Sequence, residues 1–252
     1  MNLSFRTLKA NEIDCRVSQI ANNWLTLLLY KDARVDQNIL DETVGPMNWQ
    51  DHYSRDNANC IVSIWDEDKK QWVEKENTGT ESFSEAEKGL ASDSFKRACF
   101  NWGIGRELYT TPSIFILPKK EMGKKTKQLD ENGEPIYEPE FFIKGKDNNG
   151  KEKYDTKTKF HVDFIKYDDN KNITDLIIKD HKGNTRFVQL TKETEKEILK
   201  KSQEAKKLIE EKEKTDRKFK RENLYKYFGV EDDSQLGYED LDKIIKMLGG
   251  DK

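Results

Sequence analysis

SFSEAEKGLASDSFKRACFNWGIGRELY, residues 82–109, decides how the first half of this chain folds. Ser82 and Glu85 have the spacing of a capping box, and Ser84 with Glu87 repeats it two residues later. The run that follows predicts one amphipathic helix. Leu90, Ala91, Phe95, Ala98 and Trp102 fall on one side of it, the stripe a helix buries. Lys88, Ser92 and Lys96 line a second edge, with Asp93 and Arg97 together beyond it. Gly103 stops the helix, as glycine does where positive φ is needed. Taken alone, Asp93 and Arg97 suit a surface ion pair worth a few tenths of a kcal/mol, and Lys88 and Lys96 suit a solvated face.

Strands are expected upstream of the helix. Trp49–Tyr53 is a short candidate, Cys60–Trp65 is rich in β-formers, and Gln71–Asn77 answers it across the polar turn Asp66–Lys70. Before them a helix is expected from Tyr30 through Leu40, ending near Gly45-Pro46. Leu25 to Leu29 suits either a buried strand or the first turns of that helix.

These residues carry a resemblance. Ala86, Lys88, Ala91 (one place out of register), Ser92, Asp93, Phe95, Lys96, Arg97, Ala98 and then Trp102-Gly103 form a pattern similar to the signature helix of the Rad-fifty-two superfamily of single-strand annealing proteins. The following Gly-Ile-Gly-Arg-Glu-Leu-Tyr resembles the shorter, phage-carried forms more than the eukaryotic ones. The likeness covers roughly residues 28 to 117, and the order of a short helix, a Gly turn, three antiparallel strands and the signature helix resembles that family too. It implies that Lys96 and Arg97 hold a DNA backbone, with Lys88 beside them. Arg34 is a looser match to a basic DNA-contacting position. Arg106 is added from its own place just past the helix end. The resemblance also implies a homo-oligomeric ring or arc, single-stranded DNA as partner, and a phage or prophage origin in a bacterial cytoplasm.

Composition bounds the rest. Of 252 residues 34% are hydrophobic and 37% charged, so the core has to be concentrated. A net charge of −3 does not announce a nucleic-acid binder, although local potential rather than the sum holds phosphate. No apolar run approaches the roughly eighteen residues of a membrane span, and no signal-peptide pattern opens the chain. Cys15, Cys60 and Cys99 are far apart and suit reduced thiols, with Cys99 in the core. His52, His161 and His181 have no ligand spacing, so no zinc site is expected.

Gly103-Ile-Gly105 follows a helix rather than a strand and lacks the third glycine of a dinucleotide fingerprint. PKKEMGKKT resembles a P-loop only at its end, because Pro118 stands where the first glycine belongs. Asp66-Glu67-Asp68 is a solvated turn. Glu231-Asp232-Asp233 is an acidic loop between helices. No cofactor and no enzyme activity are therefore expected. Trp49, Trp65, Trp72 and Trp102 are expected in the core or at a subunit interface.

Beyond Pro118, residues 119–159 are polar and lysine-rich. A mobile surface insertion is favoured over a basic DNA-touching arm whose aromatics stack on bases. Phe160–Tyr167 and Asn172–Lys179 predict a hairpin, and Thr185–Leu190 a third strand extending the sheet of the first half. From Thr191 to about Arg221 a long exposed Lys/Glu helix is expected. Two short helices follow, built on Leu224, Tyr227 and Phe228 and on Leu241, Ile244, Ile245 and Leu248, and expected to dock on the chain itself, a neighbouring subunit or a recombination partner.

The expected fold class is α+β, an antiparallel β-β-β-α core with an added hairpin, then the charged helix and the C-terminal helix pair. Its parts are residues 1–190, 191–221 and 222–252. The expected function is ATP-independent binding and annealing of single-stranded DNA in recombination or repair. The alternatives are a coating protein without annealing activity and a protein-interaction module acting through its C-terminal helices.

Overall fold

The computed structural model describes residues 3–80 and 86–249, with residues 86–88 described by their backbone alone. Ser82, Ser84 and Glu85 of the expected capping boxes lie outside the described residues. In chain order the elements are β1 (Asp14–Ile20), β2 (Leu25–Tyr30), α1 (Ala33–Val44), β3 (Trp49–Ser54), β4 (Asn59–Asp66), β5 (Gln71–Thr78) and α2 (Ala86–Trp102). There follow β6 (Ile114–Ile116), β7 (Lys125–Leu129), β8 (Pro135–Tyr137), β9 (Phe141–Lys146), β10 (Glu152–Thr156), β11 (Phe160–Tyr167), β12 (Ile173–Asp180) and β13 (Thr185–Gln189). The last elements are helical, α3 (Lys192–Thr215), α4 (Arg221–Phe228) and α5 (Tyr238–Gly249). The chain is α+β with antiparallel pairing. No helix among the described residues is long and apolar enough to cross a membrane. Two compact units form, the first from residues 1–14 and 30–111, the second from 15–29 and 112–252.

In the first unit β3, β4 and β5 form a three-stranded sheet in that order. Alternation along β4 sends Cys60, Val62 and Ile64 to the buried face, where α2 contributes Ser94, Phe95, Ala98 and Cys99. The buried stripe of α2 is therefore centred on 94/95 and 98/99. Leu90, Ala91 and Trp102, expected within it, are half-buried at its margin. Trp102 Nε1 donates to the Val62 carbonyl at 2.9 Å, satisfying its polar edge. Trp49 packs against Phe95 with ring centroids 6.2 Å apart and donates to Asp41 at 2.7 Å. Gly79 lets β5 run close under the helix. A Cβ there would lie 2.6 Å from both the Leu90 carbonyl oxygen and the Ser94 nitrogen.

The second unit holds a six-stranded sheet in the order β13-β12-β11-β1-β2-β6. Leu25 to Leu29 is thus a strand, with Leu25, Leu27 and Leu29 buried and Leu28 exposed. Contrary to the expectation from sequence, β11, β12 and β13 do not extend the sheet of β3 to β5. They join β1 through β11, and the chain neighbour of β1, β2, carries the matching apolar face. Ile114 and Ile116 of β6 complete that face, together with Val162, Leu176 and Ile178.

Residues 119–159, expected as a mobile insertion, are folded into the two-stranded sheets β7-β8 and β9-β10. The reason is turn chemistry plus one buried anchor. Asp130 and Asp147 head their hairpin turns and accept backbone N–H groups two and four residues on, each at 2.9 Å. Asp168 and Asp180 close the β11-β12 and β12-β13 turns in the same way. Glu140, just before β9, accepts from Arg186 of β13 at 2.9 Å, from the Thr158 hydroxyl at 2.7 Å and from the Lys119 N–H at 2.6 Å. Arg186 also reaches Asp180 at 3.2 Å and the Leu117 carbonyl at 2.7 Å, drawing β13 and the end of β6 together.

Helix α3 shows mostly charge to solvent, as expected, but Ala205 and Ile209 enter a core with Leu224, Leu236, Leu241 and Ile244. The C-terminal helices therefore dock on their own chain. Phe164 of β11 stacks on Tyr238 of α5 at 4.5 Å, and Lys179 of β12 donates to the Gln235 carbonyl at 2.8 Å.

Candidate nucleic-acid interface

The basic residues singled out in the sequence that the structure describes in full, Arg34, Lys96, Arg97 and Arg106, all belong to the first unit. Lys88 lies on α2, and its side chain is outside the described residues. Each of the other four has a local reason for its place.

Asp32 opens α1. Its backbone is extended (φ −75°, ψ 150°) and its carboxylate accepts the Arg34 N–H at 2.8 Å, an N-cap that satisfies one of the free donors at the helix start. The same carboxylate takes the Arg34 guanidinium in a two-pronged contact, with Nε and Nη2 each at 3.0 Å. Arg34 itself is 82% exposed. The Asp32 carboxyl falls to about 2, first through the Arg34 side chain, then through its N–H, with the Lys96 charge adding to the pull. Lys96 acts likewise on Asp36, one turn further along α1. The charges of Arg34 and Lys96, distant in sequence, thus both act on carboxylates of the first turn of α1. Among the described residues Lys96 makes no ion pair within 4.0 Å.

Beneath this surface lies Lys31, missed in the sequence because it reads as one more lysine before a helix. Its ammonium is ion-paired with Asp36, and both side chains are buried. Burial pushes the Asp36 carboxyl up to about 6, against the pull of Lys31. The Lys31 stem packs on Gly105, where a Cβ would lie 2.2 Å from Cε. Gly105 also has φ +76°, so the position suits glycine on both counts.

Lys96 and Arg97 do not share one pocket. Successive residues on an α-helix point roughly 100° apart, and here they separate onto two sides of α2. Lys96 faces α1. Arg97 is held by Asp93 at 2.8 Å, and Asp93 also accepts the Thr80 N–H at 2.9 Å. Burial opposes the Asp93 charge, but the Thr80 N–H and Arg97 outweigh it and the carboxyl sits below its usual range.

Arg106 closes the helix. Its Nε donates to the Phe100 carbonyl and its Nη2 to the Asn101 carbonyl, both at 2.8 Å. Lys75 of β5, which sequence reading passed over, donates to Asn101 as well at 2.9 Å and sits 4.4 Å from the Trp102 ring centroid. Two cations thereby meet the carbonyl end of α2, where the helix dipole favours them. Lys75 was legible only as a lysine on the inward phase of a strand, opposite Val62.

The surroundings offer little else chemically. Burial lifts the Cys60 thiol to about 12 and the Cys99 thiol well above its usual range, so neither is a thiolate nucleophile at neutral pH. Among the described residues no three His, Cys, Asp or Glu side chains are grouped to hold a metal ion. The arrangement can place cations against an anionic backbone. No protein-family model, no curated protein and no solved structure matches the chain.

Proposed function

We propose that this chain binds single-stranded DNA where Arg34 of α1 and Lys96 of α2 present their charges and promotes the annealing of complementary strands without ATP, in recombination or repair. The observation that carries the reading is that the Arg34 and Lys96 charges both act on the first turn of α1, with Arg97 on another side of α2 and Arg106 just beyond its end. The resemblance of the α2 sequence to phage annealing proteins points the same way, and on this reading the chain works in a bacterial cytoplasm.

Annealing requires the backbone to be held while base edges stay free to test a complement. Lys and Arg contacts to phosphate do this without reading sequence, and they weaken as salt rises. A few cations per chain give a modest site. Copies arranged in a ring or arc would join such sites into a continuous path, which accommodates the net charge of −3.

The test is the pairing of two complementary oligonucleotides followed by fluorescence energy transfer, without ATP. Acceleration by the wild-type protein that fades with salt supports annealing. Tight strand binding without acceleration makes the chain a coating protein. No binding by the folded protein removes the nucleic-acid reading and leaves the α3–α5 module as the functional part.

A further inference from the structure

Immediately beyond α2 the chain holds an aromatic side chain out in solvent on a rigid mount. Tyr109 is 80% exposed, yet its ring packs on Phe100 with centroids 4.8 Å apart and planes at 54°. The segment carrying it, a single-turn helix from Arg106 to Thr110, is fixed from several sides. Gly105 turns the chain in a left-handed conformation against the Lys31 stem. The buried Glu107 carboxylate accepts the Leu8 N–H at 2.8 Å. The Thr110 and Thr111 hydroxyls donate to the Glu107 and Leu108 carbonyls at 2.7 and 2.6 Å. Arg106 is tied to the last carbonyls of α2 and places its guanidinium carbon 5.5 Å from the Phe100 centroid.

The position of this cluster matters as much as its composition. Phe100 follows Lys96 by one helical turn, so the two side chains are neighbours on one edge of α2, with Cβ atoms about 5–6 Å apart. A cation suited to phosphate therefore sits beside the half-buried Phe100 ring that backs the exposed Tyr109. An exposed ring that is backed by a second ring and already immobilised loses little entropy on receiving a flat partner. Every nucleobase offers a π-face, and base–aromatic stacking tolerates any sequence.

We infer that Tyr109, backed by Phe100 and flanked by Arg106, is a stacking platform for an unpaired nucleobase of the strand whose phosphates Lys96 holds. The inference rests on the single-strand reading above and adds the part of the ligand that cations cannot sense. A base in a duplex has both faces covered, so the platform favours single strands.

The test uses the full chain and two fluorescent strands of equal length, one of deoxythymidine and one of abasic deoxyribose phosphate. Wild type, Tyr109→Ala, Tyr109→Phe and Lys96→Ala are titrated by anisotropy across a salt series, with sedimentation run in parallel. The platform predicts that Tyr109→Ala weakens binding of the base-bearing strand by between about fivefold and about 150-fold. It predicts no change on the abasic strand, an unaltered salt slope, and wild-type behaviour for Tyr109→Phe. Lys96→Ala, in contrast, weakens both strands and lowers the slope. Unchanged binding of the base-bearing strand by Tyr109→Ala overturns the platform, as does an equal loss on both strands. A changed sedimenting mass for Tyr109→Ala overturns it too, by making Tyr109 a subunit contact. In those three cases wild type still binds DNA and the single-strand reading stands. If wild type binds neither strand, that reading fails first and the platform falls with it.

Discussion

Replacing Asp32 with Asn removes the carboxylate that holds the Arg34 guanidinium while leaving the helix start intact. Asn is among the best N-cap residues, so the contact to the Arg34 N–H survives the change. What disappears is the anion occupying the Arg34 fork at 3.0 Å on each prong. The fall of that carboxyl from 3.8 to about 2 corresponds at face value to roughly 2.4 kcal/mol in favour of its charged form. The side chain is 45% exposed, and screening reduces the usable part to about 1 kcal/mol or less. A phosphate that takes the fork has to displace this carboxylate. Asp32→Asn is therefore expected to raise single-strand affinity by up to about fivefold at low salt, with the gain shrinking as added salt screens the site. Stability should fall by no more than about 1 kcal/mol. The carboxyl is depressed, so its contribution is complete above about pH 4 and is lost only as pH falls through about 2. The affinity gain should accordingly be the same at pH 6 and pH 8. Anisotropy with a labelled oligonucleotide at both pH values, together with urea melts, reads all of this. Equal or weaker binding by the folded variant at low salt would refute the idea that Arg34 is a phosphate-binding group held in check by Asp32.

Other consequences are open to direct measurement. Glu140→Ala leaves the Arg186 guanidinium, 1% exposed, short of its main counter-charge and should cost about 3–5 kcal/mol; chemical denaturation checks this, and a loss below 1 kcal/mol contradicts the anchoring role. Gly79→Ala forces a Cβ onto the backbone of α2 and should cost about 1–3 kcal/mol, visible as a lowered Tm. Asp36 is titrated in the opposite sense from Asp32. Burial raises it to about 6, so between about pH 4 and 6 the folded chain keeps a proton that the unfolded chain has released. Its stabilising contribution is full below about pH 4 and is lost as pH rises through 6. Urea melts should show wild type losing ground to Asp36→Asn between pH 4 and 7, and a constant difference would exclude it.

The first unit was legible because its signals are local. Alternation in Cys60–Trp65 and Gln71–Asn77, the turn at Asp66 and the glycine after Trp102 place β4, β5 and the end of α2 within a residue or so. Contacts between distant segments left no such trace. Nothing near Thr185–Leu190 says that its sheet is completed by β1, β2 and a strand of three residues, Ile114–Ile116. The continuous apolar run at Leu25–Leu29 has no period that separates strand from helix. Residues 119–159 look mobile by composition, yet their order depends on Glu140 meeting Arg186 forty-six residues later. At the candidate interface the residue types were legible and their directions were not. Lys96 and Arg97, adjacent in sequence, diverge around the helix, whereas the charges of Arg34 and Lys96, far apart in sequence, both act on the first turn of α1. Tyr109 was visible only as the last letter of the opening stretch, because exposure is a property of the turn that carries it.

The central claim is that the cations of α1 and α2 hold phosphate. The most direct test is the salt slope of single-strand binding for wild type, Arg34→Ala, Lys96→Ala, Arg97→Ala and, as a control, Lys207→Ala on the solvent side of α3. Each lost phosphate contact lowers the magnitude of the slope of log K against log salt by about 0.7. The account predicts that decrease for Lys96→Ala and Arg34→Ala and none for Lys207→Ala. Slopes that match wild type in all the α1 and α2 variants would contradict it.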